Sequence, residues 1–545
     1  MTPSTSAPAR AGSLTHRQIM VILSGLLLGM FLAALDQTIV STAMRTIADK
    51  LHGQTAQAWV TTAYLITSTI TTPLYGKLSD MYGRKPFYLF AIGIFITGSI
   101  LCGTAQSIYM LAVWRAVQGI GAGGLMSLAF AIVGDIVPPR ERGRYQAYFM
   151  SVFATSSVLG PVLGGALAGQ SSILGLDGWR WVFYVNVPIG LAAFAVVLTR
   201  LNLPRRRTDH RIDYLGAMLL TLAVVPLLIV AEKGREWGWS SGSSLALIAL
   251  TLIGLVGFLA WEQRMGEEAI LPLRMFRSSI FSLSSVVSLL VGAAMFGGIV
   301  VLPLFLQIVR GSSPTVAGLQ TLPLMLGIIV SSATSGRIMM HTGRYKIFPV
   351  VGTAVLFVAM VLLHFRLQVE TPLWQIQACM AVLGVGLGLC MQTLVISVQN
   401  ALPPRDMGVA TSSVTFFRSM GGTFGAAISL AVLFGSLGHH IQERLLAAGV
   451  PAKVVAGFGN ASSFDDTSGI SKLPPLIRSA VLHGFADSAQ SVFLVVAVLL
   501  VPAFVLTLFI QEVPLRSQGG IAAAAADGPP APESGRTTQA ETAVV

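Results

Sequence analysis

Apolar runs of about 20 residues recur along this chain, and that is the length an α-helix needs to cross the hydrocarbon core of a bilayer. Lipid offers backbone N–H and C=O groups no partner, so a spanning run must close its hydrogen bonds within itself, as a helix. A window near 19 residues finds about 14 such runs. They lie at roughly 19–43, 57–76, 87–103, 108–134, 145–169, 181–201, 215–231, 244–261, 281–306, 315–338, 347–365, 373–399, 409–437 and 489–509. Composition agrees: 54% of residues are hydrophobic and 11% charged, with mean hydropathy +0.74, whereas a soluble domain is about 25% charged. The fold class expected is an all-α membrane protein.

The polar residues narrow this further. The first run reads VILSGLLLGMFLAALDQTIVSTA from Val21 to Ala43 and carries one carboxylate, Asp36. A charge at that depth costs ~2.5–3.5 kcal/mol and is tolerated facing a protein interior or a water-filled path, which suggests proton or ion coupling. The run is too long for a signal-peptide core and lacks a small-residue cleavage pattern, so it reads as a retained span. The net charge of +12 does not indicate nucleic acid, because the basic residues form short clusters between apolar runs and no continuous stripe. Cys102, Cys379 and Cys390 all lie in apolar runs, with no spacing that indicates a disulfide or zinc site. His439, His440 and Glu443 read as a solvated outer loop rather than a metal site. No GxxxxGK[ST] phosphate loop is present, so neither nucleotide nor other cofactor is expected.

Charge sets the orientation. With the N-terminus inside, cytoplasmic segments hold roughly 22 Lys and Arg and extracytoplasmic ones roughly 11. An even number of spans returns the C-terminus to the same side. Arginine far exceeds lysine, and Ala and Gly are abundant, which points to a GC-rich bacterial source and hence to a plasma (inner) membrane. Two segments recur in the same order. GKLSDMYGR at Gly76–Arg84 returns as GRIMMHTGR at Gly336–Arg344, and VPPRERG at Val137–Gly143 returns as LPPRDMG at Leu402–Gly408. The offset is about 260–265 residues, as expected for two parallel halves that rock against each other in a transporter.

The motifs resemble the major facilitator superfamily over nearly the whole chain outside its tails. GKLSDMYGRK resembles the superfamily's loop between helices two and three; the resemblance implies a cytoplasmic gate formed by Gly76, Asp80, Gly83, Arg84 and Lys85. RAVQGIGAG, from Arg115, resembles the RxxQGxG signature associated with proton coupling, with Asp36 as proton carrier and Arg115 as its modulator. At ~1.5 Å per residue both charges fall at a similar depth in the outer part of the membrane, although sequence does not show that their faces meet. GPVLGG resembles the antiporter signature GPxxGG, implying that Gly160, Pro161, Gly164 and Gly165 seal against leak; Ser156 replaces the glycine that opens the fuller pattern. WRWVFYVNVPIG at Trp179–Gly190 and LDQTIV at Leu35–Val40 resemble signatures of the fourteen-helix drug:proton antiporters, although Ala43-Met44-Arg45 replaces the usual Ala-Leu-Pro.

The implied fold is two six-helix halves plus two additional central helices. Its parts are a cytoplasmic tail at 1–18, an N-terminal half at 19–203, a linker with the extra pair at 204–279, a C-terminal half at 280–511 with a long outer loop at about 438–487, and a disordered cytoplasmic tail at 512–545. Trp59, Tyr64, Gln118, Met126, Phe296, Gln307, Gln392, Phe416 and Arg418 are candidates to line a cavity, since aromatic, Met and amide groups suit bulky amphipathic cargo. For Arg418, inside the thirteenth span, anchoring of its helix is preferred to facing the cavity. The expected function is export of a hydrophobic or cationic amphipathic compound in exchange for protons, with small-molecule cargo, protons and the bilayer as partners, no nucleic acid, and a monomer. A dedicated exporter of one antibiotic, siderophore or lipid remains open, as do a proton-coupled nutrient symporter and a membrane receptor. An enzyme is not expected, for no nucleophile–base or metal cluster appears.

Overall fold

Every span expected from the sequence is helical. The structure, a computed structural model, describes residues 16–52, 58–201, 213–266, 268–403, 406–450 and 474–515. The N-terminal half comprises α1 (His16–Lys50), α2 (Ala58–Tyr82), α3 (Arg84–Thr104), α4 (Ile108–Ile136), α5 (Pro139–Ala168), and the paired segments α6 (Trp181–Tyr184) and α7 (Asn186–Arg200). The additional pair is α8 (Tyr214–Trp237) and α9 (Gly242–Met265). The C-terminal half comprises α10 (Ser279–Ile308), the paired segments α11 (Pro314–Gln320) and α12 (Leu322–Thr342), α13 (Ile347–Arg366), α14 (Leu373–Ala401), α15 (Met407–Ala447) and α16 (Pro475–Leu508).

Among the described residues, thirteen stretches are long and apolar enough to cross a membrane by length and composition. The fourteenth is α2. Its 25 residues reach ~37 Å at ~1.5 Å each, but hydroxyl residues lower its hydropathy. Thr67 Oγ1 donates to Ala63 O at 3.0 Å, Thr71 Oγ1 to Thr67 O at 2.8 Å and Thr72 Oγ1 to Ser68 O at 2.8 Å, so these polar groups are satisfied one turn back.

Small residues set the spacing of the bundle. A Cβ at Gly121 would lie 2.6 Å from Ala91 O of α3, while one at Gly123 or Gly119 would collide with α2 backbone at Ser68 and Tyr64. The glycines of α4 thus seat it between α2 and α3, as small residues do in membrane bundles. The extra pair packs on the seam between the halves. Leu220, Val224, Leu228 and Phe258 share a core with Ile66 and Ile70 of α2 and with Val409, Ala410 and Val414 of α15. The other face of α9, including Leu252, Ile253 and Val256, is exposed, as suits a lipid-facing surface.

Three expectations change at the edges. The outer loop is shorter at both ends than 438–487, because α15 continues to Ala447 and α16 begins at Pro475. His439, His440 and Glu443 therefore lie on a helix, and His440 Nδ1 meets Ser488 Oγ at 3.0 Å. The C-terminal tail is fixed where it begins: Glu512 Oε1 accepts from Tyr345 N at 3.0 Å, and Asn400 Nδ2 donates to Val513 O and Pro514 O, both at 3.2 Å. The rest of that tail, from 516, and the N-terminal tail to 15 lie outside the described residues.

Candidate functional site

Five helices of the N-terminal half converge on Asp36. Arg115 and Gln118 are three residues apart on α4 and share one face. Asp36 Oδ2 pairs with Arg115 Nη1 at 2.5 Å. Its Oδ1 accepts from Gln118 Nε2 at 2.9 Å and from Asn186 Nδ2 of α7 at 2.7 Å. Both amides also donate to Ser99 Oγ of α3, at 2.7 and 3.0 Å. Arg115 Nη1 donates to Gln118 Oε1 at 2.7 Å, and its guanidinium carbon sits 4.1 Å from the centre of the Tyr64 ring of α2. Asp36, Gln118 and Asn186 are 0% exposed and Arg115 1%. The two charges thus share a face as well as a depth. Arg115 Nε and Asn186 Oδ1 have no hydrogen-bond partner, so the cluster keeps unused bonding capacity.

The gate residues form a different cluster, on the face expected to be cytoplasmic. Gly83 adopts φ 98° at the start of α3, a left-handed conformation that glycine takes without a side-chain penalty. Gly343, its counterpart in the repeat, has φ 71°. Arg84 pairs with Asp80 at 2.5 Å and with Asp135, at the end of α4, at 2.7 Å. Asp80 then reaches the other half. Its Oδ1 accepts from Gly408 N at 3.1 Å and its Oδ2 from Val409 N at 2.8 Å. A carboxylate here meets unpaired N–H groups and the positive end of the helix dipole of α15. Gly76 permits the approach, since its Cβ would lie 2.8 Å from Gly408 O. Lys85 follows on α3, half-buried.

A second tie between the halves was not anticipated. Arg142 of α5 donates from Nη2 to Gly134 O at 2.5 Å and from Nε to Val137 O at 2.8 Å, capping α4, and from Nη1 to Gln399 Oε1 of α14 at 2.6 Å. It lies in the VPPRERG segment, two residues after the arginine that the repeat retains, where the second copy has Met407. Asn186 and Asp135 stood visible as a polar residue in, or at the end of, an apolar run.

The GPxxGG segment divides its work. Cβ atoms at Gly160 and Gly164 would collide with or crowd Thr38, Ile39 and Thr42, so these glycines seat α5 on α1 beside Asp36. Thr38 Oγ1 donates to Ser156 O at 3.0 Å. Pro161 faces the other half, 3.3 Å from where a Cβ on Gly318 of α11 would sit. Gly165 has open space around it, so the expectation of tight packing fails there.

The cavity candidates separate. Tyr64 and Gln118 belong to the charged cluster and are buried in it. Phe416 is buried in the seam core beside the extra helix pair rather than in a cavity wall. Trp59 packs on a core cluster with Leu35, Ile39 and Trp179. Met126 lies half-buried against the main core, and Phe296, Gln307 and Arg418 are half-buried. Gln392 is 3% exposed, with Oε1 unpartnered. Among the described residues no group of three or more His, Cys, Asp or Glu is placed to hold a metal ion. Arg180 of the WRW segment is structural: it donates to Gly103 O and Ala105 O at 2.7 and 2.9 Å, closing the end of α3.

A profile of the Major Facilitator Superfamily matches residues 26–426. An uncharacterised MFS-type transporter of Mycobacterium tuberculosis is 37% identical over 519 residues, 94% of this chain and 73% of that protein. Multidrug transporter protein MdtP of Bacillus subtilis is 32% identical over 518 residues, 91% of this chain and 94% of that one. Among solved structures, a proton:xylose symporter of the superfamily superposes with TM-score 0.59 at 14% identity, covering 94% of this chain and all of that one (100%), a likeness of fold alone. By its helices, its repeated halves and these matches, the chain is a multi-pass membrane transporter, not an enzyme, and belongs to the major facilitator superfamily.

Proposed function

We propose that the protein exports drug-like amphipathic compounds from the cytoplasm in exchange for protons, with both termini on the cytoplasmic side of a bacterial plasma membrane. The observation that carries this reading is the buried Asp36–Arg115 pair, held at 2.5 Å by two amide side chains on separate helices. While Arg115 faces it, the carboxylate needs no proton. When α1 shifts against α4 within the N-terminal half during alternation and the pair opens, a proton neutralises what would otherwise be an unpaired buried charge. The Asp80–α15 and Arg142–Gln399 bonds hold the gate face shut, and alternation with a state in which they are broken gives each side access in turn. The multidrug relative supports a drug-like cargo. The positive-inside excess supports the orientation, and a cysteine at Ser240, in the turn between α8 and α9, is expected to label from outside in sealed cells.

The test is reconstitution of the purified protein in proteoliposomes with an imposed pH gradient and a panel of amphipathic dyes. Accumulation against the dye gradient should require the pH gradient and vanish with a protonophore. Equal accumulation with and without the pH gradient would overturn proton coupling.

A further inference from the structure

Arg418 lies ~16 Å along α15 from Met407 at ~1.5 Å per residue, near the middle of a ~30 Å hydrocarbon core. It is half-buried, and it forms no hydrogen bond, ion pair or ring contact with any described residue. The stripe of α15 that carries it is turned inward. Two turns before, Thr411 Oγ1 accepts from Gln399 Nε2 of α14 at 2.9 Å. One turn after, a Cβ on Gly422 would strike the Phe296 ring of α10 at 2.6 Å, and two turns after, one on Gly425 would strike the Ala293 backbone. Residues at these spacings share a helix face, so Arg418 faces the protein interior rather than lipid.

Among the described residues of its own half, no carboxylate meets it: Glu443 lies about seven turns on along α15, and Asp487 of α16 pairs with Arg444 at 2.9 Å. From Ser279 to Gln442 the acidic residues are Glu370 and Asp406. Glu370 lies between α13 and α14 beside His483, and Asp406 lies at the start of α15 paired with Arg274 at 2.9 Å. Asp36 is engaged by Arg115. The Gln399–Thr411 bond sets α14 against an antiparallel α15, so Gln392, two turns along α14, is level with Arg418. The buried Gln392 amide has an unpartnered Oε1 and, turned over, presents N–H donors instead. An intramembrane arginine with no protein counter-ion, facing inward, marks a place where a ligand supplies the charge.

We infer that Arg418 and Gln392 form a subsite for the acidic group of an amphipathic cargo, a carboxylate or sulfonate on an apolar body that lies toward Phe296. The inference rests on the export reading and departs from the expectation of a cationic cargo. Guanidinium recognises carboxylate and sulfonate through paired N–H donors, which a lysine cannot reproduce.

The experiment uses the full-length protein in neutral detergent and in phosphatidylcholine liposomes. The probes are fusidate and naphthalene sulfonates, their uncharged ester or sulfonamide counterparts, and cationic rhodamine 6G. Binding is read by thermal shift without any pH gradient, so it is independent of proton coupling. The acids should stabilise the wild type more than their uncharged counterparts. Arg418→Gln should weaken them about tenfold or more while leaving the uncharged counterparts and rhodamine 6G unchanged; Arg418→Lys should recover only part. Equal weakening of acid and ester, or no preference for acids in the wild type, overturns the subsite. If phosphatidylglycerol stabilises through Arg418 and the free acids do not, the site is a lipid site and the cargo assignment fails. Failure of gradient-driven export with acid binding intact would strike the export reading instead.

Discussion

Replacing Asp36 with asparagine places an amide donor or a neutral oxygen where Arg115 Nη1 now meets a carboxylate at 2.5 Å. The guanidinium keeps Gln118 Oε1 at 2.7 Å and the Tyr64 ring at 4.1 Å, but loses its only charged partner among the described residues inside the bundle. Breaking a buried pair from one side costs about 3–5 kcal/mol, because the surviving charge is stranded. The remaining contacts place the expected loss at the lower end, about 3 kcal/mol. Asp36→Asn combined with Arg115→Gln removes both charges from a site that already supplies amide partners, so the double variant should recover about 1–3 kcal/mol relative to additivity. Unfolding in detergent measures the cycle. Transport separates stability from mechanism: both variants should lose pH-gradient-driven accumulation in proteoliposomes, the double despite its regained stability. A double variant whose destabilisation is the plain sum of the singles would refute the stranded-charge argument. Wild-type accumulation by Asp36→Asn would refute Asp36 as the proton carrier.

Other consequences follow from the same geometry. Asp80→Ala removes the acceptor for Gly408 N, Val409 N and Arg84. Loss of charge-assisted bonds worth about 1.5–3 kcal/mol each should open the gate face, seen as faster maleimide labelling of a cysteine at Ser412 from that side; unchanged labelling counts against the latch. Gly160→Leu should push α5 off Thr38 of α1, reducing coupled efflux and admitting proton leak while the protein still reaches the membrane, and normal efflux would mark the segment as incidental. Between α13 and α14, the hydrogen bond from His483 at 2.7 Å holds the Glu370 carboxyl below the usual carboxylate range. A depressed carboxyl stabilises the fold above its unfolded value of about 4.3, and the gain is lost as pH falls through the folded value. Glu370→Gln should therefore cost less than about 1 kcal/mol at neutral pH, given its exposure, and nothing in strong acid; a larger loss in acid than at pH 7 would reverse the assignment.

The spans were legible because lipid imposes one rule on every run, that the backbone must bond to itself, and because hydropathy over about 20 residues reports that rule directly. The two halves were legible from Gly76–Arg84 and Gly336–Arg344, because each helix reversal calls for a glycine at positive φ, as at Gly83 and Gly343. Asp36 and Arg115 stood out individually, since charge in an apolar run is costly. Their meeting was not legible, because depth follows from counting residues while facing depends on how α1, α4 and α7 rotate in the bundle. The same limit explains Gln118 and Tyr64, whose chemistry suited a cavity wall but whose helices turn them onto Asp36. It also explains Gly165, which carries the motif's residue but meets no neighbour. Residue type and spacing thus determined which groups enter the membrane and how deep. Only tertiary packing decided which of them face one another, leaving Asp36 paired, Asp80 bonded across the halves and Arg418 without a protein partner among the described residues.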